Sequence, residues 1–336
     1  MTFVVALNCI RYRPLFSELT AHLPVEIHFE EFEIPWEEVS ARRARRPTGR
    51  SLPVAPGLRE ALARAEVIFG FTLPTNAVDL APRLRWIETP ATGYDQLNFT
   101  GVLESPSVCV TTVGGLFARD VAEHAFALLL ALTRRLPLFF AAQGAHEWRP
   151  VPVMELTGRT LGIVGFGNIG QAVAELGRAF GMKVVATRPT RRAVPSGLVD
   201  ELYDRDRLRE LLRCADVVVV TVSGSETNRG LIGPAELRSM KQTSFLINVS
   251  RGIVINEEAL VEALNRGAIA GAGLDVFEEE PLPASSPLWR APNVVITPHV
   301  AIALESRMPR CIRHFADNLV RYCRGEPVID AVKRSS

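Results

Sequence analysis

An arginine, a glutamate and a histidine each stand just past an apolar run in the second half of this chain. Arg251 lies in Asn248-Val-Ser-Arg-Gly252, Glu280 in Asp275-Val-Phe-Glu-Glu-Glu-Pro281, and His299 in Thr297-Pro-His299. A guanidinium grips carboxylate and carbonyl oxygens with a rigid fork. Histidine titrates near neutral pH and can hand a proton to an oxygen that is gaining negative charge. A carboxylate beside it orients the ring and stabilises its charged form. The three types together suit hydride transfer to a 2-keto acid. Taken singly, each has a plainer reading: Arg251 as a surface residue at a turn, Glu280 as one of three solvated acids, His299 as a strand cap. Their shared placement favours chemistry, because ligands of open α/β sheets bind beyond the carboxyl ends of the strands.

What would hold a redox partner there is the stretch Thr160-Leu-Gly-Ile-Val-Gly-Phe-Gly-Asn-Ile-Gly170. Leu161 to Val164 reads as a buried strand. Gly165, Gly167 and Gly170 follow in G-x-G-x-x-G spacing, and Ile169, Val173, Leu176 and Phe180 then recur at helical spacing until Gly181. A second strand, Met182 to Thr187, completes the unit. Gly165 permits the tight turn, Gly167 lets a pyrophosphate approach the backbone, and Gly170 lets helix and strand pack closely. Glycines at this spacing also serve ordinary turns; the flanking strand and helix favour dinucleotide binding.

The elements that must position these residues alternate between strand and helix. Thr2–Leu7, Val25–Phe29, Val67–Phe71, Leu84–Ile87 and Val108–Thr111 read as buried strands, with helix-like segments such as Gly57–Arg64 between them. Later strands are expected at Val217–Val222, Phe245–Val249, Ala270–Val276 and Val294–Thr297. Such alternation implies an α/β fold with parallel sheets covered by helices. Ala118–Arg135 is the longest helical pattern, expected to cross from one domain to the other, and Pro137 fits the first turn of a following helix that ends near Gly144. After His299 a helical pattern runs to about Arg324.

Length and composition limit the alternatives. A chain of 336 residues accommodates two domains. A net charge of +1 gives no global pull toward nucleic acid or an anionic membrane. The basic stretch Arg42–Arg50 has no interleaved aromatics and reads as a solvated loop. Cys9, Cys109, Cys214, Cys311 and Cys323 form no C-x-x-C pair, which argues against a metal site or disulfide framework and fits reduced thiols in a cytosol. No apolar run is long enough to span a bilayer, and the N-terminus reads as lacking an export signal.

The motifs together resemble the D-isomer-specific 2-hydroxyacid dehydrogenase family. Gly165-Phe-Gly-Asn-Ile-Gly170, Asn248-Val-Ser-Arg-Gly252, Gly273-Leu-Asp-Val-Phe-Glu-Glu-Glu-Pro-Leu282 and Thr297-Pro-His-Val300 match it in content, order and spacing. So do Gly93-Tyr-Asp95 and Ala122-Glu-His124. The resemblance implies a flavodoxin-like substrate domain, residues 1–117 and 303–336, interrupted by a Rossmann cofactor domain, residues 118–302, with the active site in the cleft between them. It makes Arg251, Glu280 and His299 the catalytic trio. It gives the cofactor to Gly165, Phe166, Gly167, Asn168, Ile169 and Gly170, with Asp275 on the nicotinamide side. Thr92 and Gly93 supply backbone N–H groups to the substrate carboxylate, alongside Arg251 and His299. The expected assembly is a cytoplasmic homodimer acting on a small 2-keto or 2-hydroxy acid, without nucleic-acid or membrane partners. In glyoxylate/hydroxypyruvate reductases a Trp before the Rossmann unit reaches the partner's pocket; Trp148 stands there, and burial against its own chain is the other reading.

Two departures from the family stand out. Ala301, Ile302 and Ala303 follow the histidine where small or hydroxylated residues are common, which makes that pocket wall more apolar. Arg188 occupies the place where NAD-binding relatives carry an Asp on the adenosine ribose, about 20 residues past the glycine turn. With Thr190 and Arg191 it points to NADP(H) as the preferred cofactor, NAD(H) being possible. The reading is thus an NADPH-dependent 2-keto acid reductase of the glyoxylate/hydroxypyruvate type. A phosphoglycerate dehydrogenase-like NAD enzyme is a rival, disfavoured by the lack of a regulatory domain. Formate dehydrogenases carry Gln where Glu280 stands. A dinucleotide-sensing protein like the corepressors of this superfamily is the alternative from another class.

Overall fold

A computed structural model describes residues 1–46, 52–188, 197–302 and 305–332. The chain divides into two compact units: unit 1 takes Met1–Leu116 and Leu304–Ser336, and unit 2 takes Phe117–Ala303. Each is built on one parallel sheet.

In unit 1 the strands are β1 (Thr2–Leu7), β2 (Val25–Glu30), β3 (Val67–Phe69), β4 (Trp86–Glu88) and β5 (Cys109–Thr111), ordered β2-β1-β3-β4-β5. All pairings are parallel. Parallel strands covered on both faces are apolar runs rather than alternating ones, and β3 and β4 are wholly buried. Val25–Phe29, expected to be buried, instead forms the sheet edge, with Glu26 and His28 exposed. The helix Arg307–Cys323 returns the chain to this unit, where Phe315 stacks 5.2 Å from the Trp86 ring and lies tilted 4.8 Å from the Phe69 ring. It begins later than the sequence pattern suggests, because the residues just after His299 are held in a non-helical turn.

Unit 2 contains β6 (Thr160–Val164), β7 (Lys183–Thr187), β8 (Glu201–Tyr203), β9 (Val217–Val220), β10 (Phe245–Asn248), β11 (Gly271–Leu274) and β12 (Val294–Ile296). The order is β12-β11-β10-β9-β6-β7-β8, again with every pair parallel. Successive strands add outward from β6 to β8, and the chain then returns to add β9 on the other side of β6. That reversal is the switch point at which such sheets take ligands. The edge strand β8 was not anticipated; it is three residues long, and two of them are exposed.

The Ala118–Thr133 helix does not cross between units. It lies wholly within unit 2, where Val121, Ala125, Leu128, Leu129 and Leu132 share a core with Leu161, Ile163, Val173 and Ile247. Arg135, at φ 57°, ends it, and Leu136–Gly144 follows at 60° with Pro in its first turn. Among the described residues no single helix is long and apolar enough to cross a membrane.

An ionic cluster that runs from the buried Glu88 to the exposed Asp330 fastens the last segments of the chain within unit 1. Glu88, fully buried on β4, accepts from Thr111 Oγ1 at 3.0 Å, Asn318 Nδ2 at 2.7 Å and His314 Nδ1 at 3.0 Å. His314 Nε2 lies 3.1 Å from Asp330 Oδ2. Burial alone would lower the His314 pKa, but the bonds to Glu88 and Asp330 outweigh it and raise the value. A raised histidine pKa adds stability below the ordinary value of 6.5 and loses it as pH climbs through the folded-state value. Denaturant unfolding should therefore show wild type exceeding His314→Asn by a wider margin at about pH 5.5 than at about pH 8.5. An equal margin at both would contradict the ionic role.

Candidate active site

The glycine turn follows β6 and is fastened from β7 and β9. Gly165 N donates to Thr187 Oγ1 at 3.1 Å, Phe166 N to Thr187 O at 2.9 Å, and Thr221 Oγ1 to Gly165 O at 2.6 Å. Gly165 sits at φ +104°, where a Cβ would lie 2.9 Å from Val222 N. At Gly170 a Cβ would stand 2.4 Å from Gly165 O, so this glycine sets how closely helix Asn168–Ala179 meets the turn. Gly167 is different: a Cβ there would meet nothing within 4 Å. Its openness exposes the first helical turn, where Asn168, Ile169 and Gly170 precede the first intrahelical bond, from Gln171 N to Gly167 O. An open glycine at a helix N-terminus fits a pyrophosphate. Phe166 turns its ring into the core, 1% exposed. Arg188, half-buried at the end of β7, donates its backbone N–H to Tyr203 O. Thr190 and Arg191 lie outside the described residues.

The trio rises from three neighbouring strands. Arg251 follows β10, Glu280 follows β11, and His299 follows β12. The Arg251 turn is stapled by Asn248, itself 1% exposed. Asn248 Oδ1 accepts from Ser250 N and Oγ, and its Nδ2 donates to Arg251 O at 3.1 Å. Arg251 Nη1 donates to Ser250 O at 2.8 Å. Gly224 gives the side chain its room, since a Cβ there would lie 2.5 Å from Arg251 Cγ.

Glu280 and His299 meet directly: His299 Nδ1 is 2.8 Å from Glu280 Oε2. Both are largely buried, and Glu280 Oε1 also accepts from Phe277 N at 3.1 Å. The carboxylate can only accept here, so Nδ1 carries the proton and Nε2 is the nitrogen through which the ring can serve a substrate. His299 has φ +55°, and its N–H donates to Asp275 O at 2.8 Å. Left-handed backbone is uncommon outside glycine and gathers at working sites.

Asp275 is 1% exposed and turned toward the protein. Its Oδ1 accepts from Thr297 Oγ1 at 2.6 Å and Val300 N at 2.9 Å, and lies 3.2 Å from His124 Nε2. Its Oδ2 accepts from Ala301 N at 3.1 Å. Burial pushes its pKa up, but the bonds from His124, Thr297 and Val300 outweigh this and hold it below the ordinary range.

Thr92 and Gly93 belong to unit 1, on the turn after β4. Gln96 holds that turn by donating to Thr89 Oγ1 at 2.8 Å and Gly93 O at 3.2 Å. Thr92 also lines a cavity of about 240 Å³ with Tyr94, Thr112, Asp330, Ala331 and Val332. Trp148 is 97% exposed, so it is not buried against its own chain.

Asn248, Gly224 and Gly252 were not singled out as functional from sequence. Asn-x-x-Arg-Gly carried part of the signal: a Cβ on Gly252 would sit 1.8 Å from the Phe277 carbonyl carbon. Only glycine lets the Arg251 turn lie against the segment that leads to Glu280.

A glycine turn at the switch point of a parallel sheet, with an Arg and a Glu–His pair on the adjoining strand ends, defines a dinucleotide-dependent dehydrogenase. Residues 126–301 match the profile of the D-isomer specific 2-hydroxyacid dehydrogenase NAD binding domain. A glyoxylate reductase from Korarchaeum cryptofilum is 38% identical over 261 residues, covering 76% of this chain and 77% of its own. An NADPH-dependent glyoxylate/hydroxypyruvate reductase from Sinorhizobium meliloti, solved with NADP and sulfate, is 25% identical. It superposes with a TM-score of 0.76 over 99% of this chain and 98% of its own. A D-lactate dehydrogenase from Aquifex aeolicus, solved with NAD and lactic acid, is 26% identical, with a TM-score of 0.74 over 96% of both chains. The chain belongs to the D-isomer specific 2-hydroxyacid dehydrogenase family, and the two-domain α/β fold agrees.

The Gly252 contact is open to test. Gly252→Ala should lower the melting temperature of the protein by roughly 5 °C or more, since backbone must move to admit the methyl group. A wild-type melting temperature in calorimetry would show that the two segments yield cheaply.

Proposed function

We propose that the protein reduces a small 2-keto acid of the glyoxylate/hydroxypyruvate class to its D-2-hydroxy acid, with NADPH preferred and His299 as proton donor. The observation that carries this reading is the 2.8 Å pair of His299 Nδ1 and Glu280 Oε2 at the strand ends beside the glycine turn. The glyoxylate reductase relatives support the substrate class. When bound, the nicotinamide dinucleotide supplies hydride to the keto carbon. Arg251 grips the substrate's oxygens and polarises the carbonyl. His299, starting as the imidazolium, gives its Nε2 proton to the carbonyl oxygen as negative charge develops there and is left neutral with the Nδ1 proton on Glu280, which keeps the ring oriented. His299→Ala should lower kcat on the order of 10²–10⁴-fold with NADPH affinity little changed. Near-wild-type turnover of glyoxylate by the folded variant, followed by NADPH absorbance, would remove His299 from the chemistry.

Arg188 supports the cofactor preference. It directly follows the second strand of the Rossmann unit, where an Asp would hydrogen-bond the ribose and repel a 2′-phosphate. A guanidinium there can pair with the phosphate through charge-assisted bonds of roughly 1.5–3 kcal/mol each. One such bond corresponds to about 10–100-fold in kcat/KM for NADPH over NADH. Arg188→Asp should erase or invert that ratio, chiefly through the NADPH KM. Equal use of both cofactors by wild type at one ionic strength would sink the phosphate role and leave the reductase reading intact.

A further inference from the structure

We infer that His124, far from the trio in sequence, is a positioning residue for His299, acting through Thr297 and Asp275. The inference rests on the reading of His299 as proton donor.

His124 lies in the Ala118–Thr133 helix, and its Nε2 stands 2.9 Å from Thr297 Oγ1 and 3.2 Å from Asp275 Oδ1. The proton assignment follows from counting. Asp275, held ionised, only accepts. The single hydroxyl proton of Thr297 is used on Asp275 at 2.6 Å. Nε2 of His124 must therefore be the donor, shared between the hydroxyl and the carboxylate.

The remaining donors to Asp275 are Thr297 Oγ1, Val300 N and Ala301 N. All three belong to the segment that flanks His299. They wrap the segment around one carboxylate, and the backbone ties its base to the sheet through Asp275 N on Asn248 O and Thr297 N on Leu274 O. His124 adds a side-chain anchor beyond the strand ends, from a helix whose apolar face is packed into the core. The 297–301 segment must hold a strained turn, with His299 at φ +55° and its N–H on Asp275 O. A slip of the segment would move the imidazole away from Glu280 and from the substrate's carbonyl. Misplacement on the order of 1 Å costs about 10²-fold in oriented reactions.

The test uses His124→Leu, which removes the donor, and His124→Gln, whose amide can donate again. Amide exchange is followed in the purified protein without added cofactor, beside steady-state kinetics with glyoxylate and NADPH. In His124→Leu the Val300 and Ala301 amides should exchange about tenfold faster or more, with β6 amides unchanged, and kcat should fall on the order of tenfold with the NADPH KM within about twofold. His124→Gln should restore both readouts to within about threefold. Unchanged exchange at Val300 and Ala301 in His124→Leu would overturn the inference, as would faster exchange with kcat intact. If His124→Leu is too unstable to purify, a His124→Gln variant that folds but shows the same loosened amides and lower kcat as a donor-free site overturns it. Full turnover by His299→Ala would instead refute the proton-donor reading, and exchange at Val300 and Ala301 still decides whether His124 anchors the segment.

Discussion

Every described strand of unit 2 runs in one direction, and the candidate site depends on that constraint. A parallel sheet gathers the carboxyl ends of its strands on one edge, so residues far apart in sequence emerge side by side. Arg251, Glu280 and His299 are separated by tens of residues yet follow β10, β11 and β12, which are consecutive neighbours in the sheet. The glycine turn follows β6 on the same edge, one strand beyond β9. Were any of these strands antiparallel, its candidate residue would be carried to the opposite edge, out of reach of the others.

Direction alone does not set distances between loops; contact between backbones does. Gly252 meets the Phe277 carbonyl where no side chain fits, Gly170 meets Gly165 O, and Gly224 yields space to the stem of Arg251. At each of these places a glycine's missing Cβ is the condition for the close approach of a candidate site segment. Gly167 serves the opposite purpose. Its space is left open, which suits a ligand approaching the first turn of the helix rather than a protein neighbour.

The apolar strands and the glycine turn were legible because their signals are local: runs of Val, Ile and Leu, and fixed spacing over a few residues. Strand β8 was not, because Glu201-Leu-Tyr203 is a short edge with only Tyr203 buried. The helical pattern after His299 overruns the helix itself because the Asp275 carboxylate holds the N–H groups of Val300 and Ala301 in a turn, and that long-range bond leaves no local trace. The same holds for His124, which the sequence offered only as part of a family motif. Its contact with Thr297 spans 173 positions. The trio was legible by residue type and by position at strand ends, whereas the bond between Glu280 and His299 required the fold.

Three carboxyl groups near this edge show how environment divides their labour. Asp275 is buried among N–H and O–H donors, which outweigh the cost of burial and keep it ionised. Glu257, on the first turn of helix Glu257–Asn265, accepts one backbone bond, from Glu278 N. Burial dominates there, and the charges of Glu278, Glu280 and Glu279 add to it, so its pKa is raised to about 7 despite that bond. Glu257 therefore sheds its negative charge beside Glu280 as pH falls through about 7. Glu280 in turn spends one oxygen on Phe277 N and the other on the His299 ring. The difference in donor supply lets one acid fix a loop by its charge, leaves a second under the neighbouring segment to lose its charge near neutral pH, and aims the third at an imidazole.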